Sequence, residues 1–65
     1  MAHNPFTPAQ RAVLEQILTG STNRQVAGEL HLSVRTVESH VESLLRRSCT
    51  RNRTELVAWW LQAQR

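Results

Sequence analysis

Lysine is absent from this chain and cysteine occurs once. All eight basic residues are therefore arginine. A single cysteine, Cys49, cannot close an internal disulfide, and no Cys/His cluster has the spacing of a zinc site. The usual staples of a small domain are thus missing. A lone cysteine fits a reducing compartment. Gly20 and Gly28 are the only glycines and lie apart, which excludes a glycine-rich phosphate loop. No apolar run approaches the roughly 18 residues of a membrane span. The N-terminus has no basic region followed by an apolar stretch, as a signal peptide would. These absences make the cytoplasm the expected compartment, with no membrane partner. With 65 residues there is room for one small domain. Such a domain rarely encloses a pocket of the usual ~300 Å³ or more, so an enzyme is disfavoured and no cofactor or metal is expected. A core this small is marginal unless its packing is very regular or a partner contributes.

What is present is basic and helical. The net charge is +3 and the isoelectric point is near 11.2. Arginines spread over the second half favour an acidic partner, nucleic acid foremost, although a charge of this size does not decide it. The five carboxylates, Glu15, Glu29, Glu38, Glu42 and Glu55, all fall where helix surfaces are expected.

Four helix-start signals recur along the chain. Thr7-Pro8-Ala9-Gln10 is a capping box with proline at the first helical position. Phe6 precedes it, placed to staple onto the first turn. Val13, Leu14, Ile17 and Leu18 form one apolar stripe, and Gly20 supplies a left-handed stop. Thr22-Asn23-Arg24-Gln25 repeats the box before a short helix over 23–30, with Val26, Ala27 and Leu30 inward. Gly28 inside that helix costs about 1 kcal/mol relative to alanine. It either lets another helix come close or is merely tolerated. After a tight turn at His31-Leu32, Ser33 caps a longer helix over 34–47, striped by Val37, Val41, Leu44 and Leu45. Ser48-Cys49-Thr50 breaks the pattern, and Asn52-Arg53-Thr54-Glu55 opens a fourth helix over 52–65. Leu56, Val57, Trp60 and Ala63 make its stripe. No stretch alternates with period two. Residues 1–5 read as a disordered leader.

A short helix, a three- or four-residue connection and a longer helix are the parts of a helix-turn-helix. In such a motif the second helix enters the major groove with its N-terminal residues nearest the base edges.

Three runs then resemble a known family. They are Thr22-Asn23-Arg24-Gln25-Val26-Ala27, Ser33-Val34-Arg35-Thr36-Val37-Glu38-Ser39-His40-Val41, and Asn52-Arg53-Thr54-Glu55-Leu56-Val57. Together they look like the DNA-binding domain of LuxR-type bacterial transcription regulators, which include quorum-sensing and response regulators. The most specific piece is Ser33, Thr36, Val37, His40 and Val41, followed after ten intervening residues by the run from Asn52. The resemblance covers residues 6 to about 62 and assigns 6–65 to one such domain. It implies an all-α, four-helix helix-turn-helix domain whose fourth helix dimerises, acting on double-stranded DNA as a weak homodimer. It also implies a sensor or receiver domain preceding it in a parent protein. Two departures stand out. The family usually carries acidic residues near Gln10 and Ala12, and a Leu-Gly-Val-like segment where Ser48-Cys49-Thr50 stands here. The path of that loop is left open by the difference, and Cys49 reads as a small half-buried residue.

Roles follow from position. Residues 35, 38, 39, 42 and 46 face away from the apolar stripe of the third helix. The positions matching Glu38, Ser39 and Glu42 commonly touch bases in the family. Carboxylates there would accept from cytosine N4, or Glu42 would simply pair with Arg46 four residues on, while Glu38 stays solvated. Thr22, Asn23 and Arg24 at one helix start, and Ser33, Arg35 and Thr36 at another, suit phosphate oxygens. Arg46, Arg47, Arg51 and Arg53 form a basic edge at the far end of the third helix. His40 is either a packed neutral side chain or a backbone contact. On the fourth helix Thr54, Ala58, Leu61 and Arg65 lie opposite the core, and Trp59 lies on the edge as an exposed partner surface. Two other readings stand beside this one. A protein-interaction module without DNA activity draws on Glu38, Glu42 and the paired tryptophans. A sigma-factor promoter-recognition domain shares the central motif but does not need the capped fourth helix.

Overall fold

Each helix start in the sequence is realised by side-chain capping. The computed structural model describes residues 6–64, which hold helices α1 (Pro8–Leu18), α2 (Asn23–Leu30), α3 (Val34–Ser48) and α4 (Arg53–Ala63), and no strand. The expected leader at 1–5 and Arg65 lie outside the described residues. Thr7 Oγ1 accepts from the Gln10 N–H at 3.1 Å while Gln10 Oε1 accepts from the Thr7 N–H at 3.2 Å. Thr22 and Gln25 repeat this exchange at 3.2 and 2.9 Å. At α4 the pattern shifts by one residue. Asn52 Oδ1 accepts from the Glu55 N–H at 2.9 Å, but the Glu55 carboxylate accepts from the N–H of Arg51, also at 2.9 Å.

Three of the helix ends share one geometry. Gly20, His31 and Cys49 have φ of 86°, 57° and 58°. Beyond each, the following N–H closes a six-residue loop: Ser21 to Gln16 O at 3.2 Å, Leu32 to Ala27 O at 2.9 Å, Thr50 to Leu45 O at 3.0 Å. This is the Schellman termination, which satisfies carbonyls that the helix leaves open. Only the first uses glycine. His31 and Cys49 carry a Cβ into the left-handed region, at roughly 1–2 kcal/mol each. The expectation of a half-buried Cys49 is thereby corrected, because the left-handed turn points its thiol into solvent. Ser48 is the buried residue instead and extends α3 by one position. Its hydroxyl donates to Leu44 O at 2.8 Å, so Thr50 Oγ1, at 2.7 Å, donates to it. Cys49→Gly should therefore stabilise the domain by about 1 kcal/mol. That raises the thermal midpoint by about 4–8 °C, readable by circular dichroism. An unchanged or lower midpoint would mean that the turn relaxes without strain.

Helix α3 packs against all three other helices, and α2 and α4 do not pack on one another. The core is a single cluster drawn from every helix: Val13, Leu14 and Ile17, Val26 and Ala27, Val37 and Leu44, Leu56 and Trp60. Phe6 joins it from ahead of α1. It meets α4, with its ring 5.9 Å from Trp59 edge-on and 6.0 Å from Trp60. The two apolar stripes of α1 and α4 are thus closed at one end by aromatic rings. Arg11 adds a guanidinium 4.7 Å from the Trp60 ring centre and lies 3.3 Å from Glu15. One expectation fails in this packing. Ala63 is exposed, because α4 ends there. Of the two readings of Gly28, the structure favours mere tolerance, since a Cβ built on it would meet no atom within 4 Å. No helix among the described residues is long and apolar enough to cross a membrane.

Candidate nucleic-acid interface

Residues His31 to Ser33 connect α2 to α3, a three-residue link closed by the His31 turn and opened again by the Ser33 cap. Burial of Val37 and Leu44 fixes the rotation of α3 about its axis. Arg35, Glu38, Ser39, Glu42 and Arg46 are all exposed as a result. Four of them, Arg35, Glu38, Ser39 and Glu42, line one shallow depression. The three residues expected to touch bases are therefore brought together, and Arg35, expected on phosphate, stands among them.

Within that group Glu42 is partnered. Its carboxylate lies 3.7 Å from Arg46 Nη2, and both side chains are about three-quarters exposed at 74% and 76%. An exposed pair of this spacing contributes only about 0.3–0.5 kcal/mol, so it holds the two side chains loosely. Arg35 forms no hydrogen bond or ion pair among the described residues. His40 is half-buried and likewise without a hydrogen-bond partner among them, which leaves its ring N–H available.

Capping governs what the two helix starts can offer an anion. At α3 Ser33 Oγ accepts from the Thr36 N–H at 3.0 Å and donates its own proton to Thr36 Oγ1 at 2.8 Å. The Thr36 hydroxyl proton is then the one left to donate outward. The Val34 and Arg35 N–H groups precede the capped position and remain open. At α2 the Thr22–Gln25 exchange leaves the Asn23 and Arg24 N–H groups open in the same way. Arg24 is exposed beside them.

One expected placement changes. Arg53 was expected with Arg46, Arg47 and Arg51 along the far edge of α3. Its Nη2 instead donates to Asn23 Oδ1, at the start of α2. Arg53 is half-buried there, which no local sequence signal announces, because the two residues are thirty positions apart. The Asn23 amide keeps its two N–H donors for another partner. Arg46, Arg47 and Arg51 remain exposed.

On α4 Thr54, Ala58 and Leu61 face solvent, with Leu61 59% exposed. Trp59 does not join them fully. It is half-buried against the core, edge-on to Phe6, so the expectation of an exposed tryptophan is corrected. A broader open groove between the end of α1 and α2, lined by Gln16, Thr19, Gly20, Ser21, Gln25, Gly28 and Glu29, has only one ionisable group. The described residues contain no group of three His, Cys, Asp or Glu side chains able to hold a metal ion.

Four capped helices, a three-residue turn and a polar outer face on the second helix of the pair define a helix-turn-helix DNA-binding domain. The comparisons agree: the family described as "Bacterial regulatory proteins, luxR family" matches residues 4–60, and the chain belongs to it. Over 57 residues it is 42% identical to a "Probable transcriptional regulator ycf29" of Cyanophora paradoxa, covering 88% of this chain and 27% of that protein. It shares 42% identity over 57 residues with "Response regulator Rre1" of Synechocystis, covering 88% and 25%. Over 54 residues it is 30% identical to the "CsgBAC operon transcriptional regulatory protein" of Escherichia coli K12, covering 83% and 25%. The chain thus spans about a quarter of the length of these relatives.

Proposed function

We propose that this domain binds double-stranded DNA sequence-specifically, with α3 in the major groove, as a weak homodimer on an inverted-repeat operator. The observation that carries the reading is the outer face of α3, where Glu38, Ser39 and Glu42 are exposed together opposite the buried Val37 and Leu44. On this reading those three side chains meet base edges. Thr22, Asn23, Arg24, Ser33 and Thr36 hold phosphates at the two helix starts, and Arg46, Arg47, Arg51 and Arg53 flank them. His40 adds a donor to the backbone. The domain acts in the cytoplasm on the output side of a larger regulator, whose sensor or receiver domain supplies the signal. That arrangement draws on the named response-regulator relative and on the quarter-length coverage. A protein-interaction module is less well supported, because Trp59 and Trp60 are engaged with Phe6 and Glu42 with Arg46 inside the domain.

Pairing is proposed through Thr54, Ala58 and Leu61 of α4, with Trp59 at the rim. The apolar part of this patch is far below the roughly 1,200 Å² of stable interfaces, so the free domain should dimerise weakly and DNA should promote it. Two copies would present their α3 helices about one DNA turn, roughly 34 Å, apart. Leu61→Glu should leave the helical circular-dichroism signal intact. It should abolish cooperative binding to a full inverted repeat and spare binding to a half-site. Titrations on both duplexes decide this, and unchanged cooperativity would remove the α4 dimer.

A further inference from the structure

We propose that Arg35 is a guanine-reading residue, and that the face it shares with Glu38, Ser39 and Glu42 selects G·C base pairs. The inference rests on the reading of α3 as the helix in the major groove. Its ground is the position and freedom of one guanidinium. Arg35 is the second residue of α3, in the turn that lies nearest base edges in a helix-turn-helix. It points away from the core, four and seven residues before Ser39 and Glu42, so the three form a single outward ridge. It lines the same depression as those side chains and Glu38.

Three other arginines are held within the domain, and Arg24 and Arg51, exposed like Arg35, lie outside α3. Arg46 is drawn to Glu42, Arg53 to Asn23 and Arg11 to Glu15 and the Trp60 ring. Arg35 has no partner among the described residues although Glu38 is one helical turn away. A planar guanidinium fork donates two parallel hydrogen bonds to guanine O6 and N7. The carboxylates beside it can only accept, and the cytosine N4 amino group is the donor that a G·C pair offers in the same groove. The face thus pairs a donor fork with acceptors. No bidentate grip on adenine N6 and N7 is available, because α3 contains no Asn or Gln. Glu38 and Glu42 also repel phosphate, so the approach of this face is favourable only where bases satisfy the carboxylates. Arg35 is then better used on a base edge than on the backbone.

The test is selection of bound sequences from a random duplex library with the domain and with Arg35→Ala and Arg35→Gln, each checked for helicity by circular dichroism. The unaltered domain should enrich at least one G·C pair in each half-site. Arg35→Ala should lose the preference at one guanine, keep it elsewhere, and bind the selected site about 5- to 150-fold more weakly with an unchanged salt slope. On a duplex with that G·C pair exchanged for A·T, the domain and Arg35→Ala should bind equally. Arg35→Gln should shift the preference from guanine toward adenine, which also reports on the residue if the alanine variant fails to fold. An Arg35→Ala variant that keeps every base preference but loses about one unit of salt slope would place Arg35 on phosphate and overturn the inference alone. A selected site without a G·C pair would overturn it as well. If the unaltered domain enriches no sequence, the DNA reading itself falls and takes this inference with it.

Discussion

Leu44→Ala is expected to remove about half of the domain's stability. Leu44 has no exposed surface and sits in the helix that packs against all the others. Truncating such a leucine costs about 2–5 kcal/mol, from lost burial and from the cavity that rigid neighbours leave. A chain of this length has a total stability of only roughly 3–10 kcal/mol. No disulfide and no cluster of metal-ligating side chains among the described residues can make up the difference. Urea denaturation followed at 222 nm should show a correspondingly lower midpoint. Leu61→Ala, in contrast, should move it little, since Leu61 is 59% exposed. A Leu44→Ala protein with an unshifted midpoint would mean that the core repacks around the gap.

The second large effect concerns salt. Arg24→Ala combined with Arg46→Ala should weaken binding to specific and non-specific duplexes alike and flatten the dependence on salt. Each phosphate contact contributes about 0.9 to the slope of log affinity against log salt. Between 50 and 200 mM salt the double variant should therefore lose about twelvefold less affinity than the unaltered domain. Arg46→Ala alone should weaken binding more than Arg24→Ala. It strands the Glu42 carboxylate, now 3.7 Å from Arg46, without its counter-charge beside the DNA. Arg11→Ala serves as the control. Its guanidinium lies over Trp60 between α1 and α4, so the slope should not change. Equal slopes for the double variant and the unaltered domain would remove both arginines from the phosphate set.

The helix starts were legible because capping is local. Thr7, Thr22, Ser33 and Asn52 each act on an N–H three residues away, and each was marked by residue type and spacing. The apolar stripes of α1 and α3 were legible for the same reason, since burial follows the helical period. Helix ends were less so. Gly20 announced its turn, but His31 and Cys49 adopt the same left-handed geometry without the residue type that normally marks it. There the hydrogen bonds that close the turns, Leu32 N–H to Ala27 O and Thr50 N–H to Leu45 O, accompany a conformation that residue type does not favour. Long-range pairings left no trace in sequence. Phe6 against Trp59, Arg11 over Trp60 and Arg53 on Asn23 each join segments that only the fold brings together. They account for the misread exposure of Trp59 and the misplaced Arg53. The face of α3, Arg35 among its positions, was readable from the helical period, but the shallow depression that Arg35, Glu38, Ser39 and Glu42 line together required the folded surface.

The bond from Arg53 to Asn23 has a mechanical consequence. Helices α2 and α4 do not pack together, and this side-chain bridge ties their first turns. It adds a side-chain tie on the α2 side to the packing of α4 on α1 and α3. Any two copies that meet through α4 then inherit a fixed distance and orientation between their α3 helices, set by rigid parts within each copy. On the proposed α4 dimer, the pitch of an operator would be a property of this fold. A tether to other domains, however long or loose, would change how often two copies meet but not the spacing at which they fit.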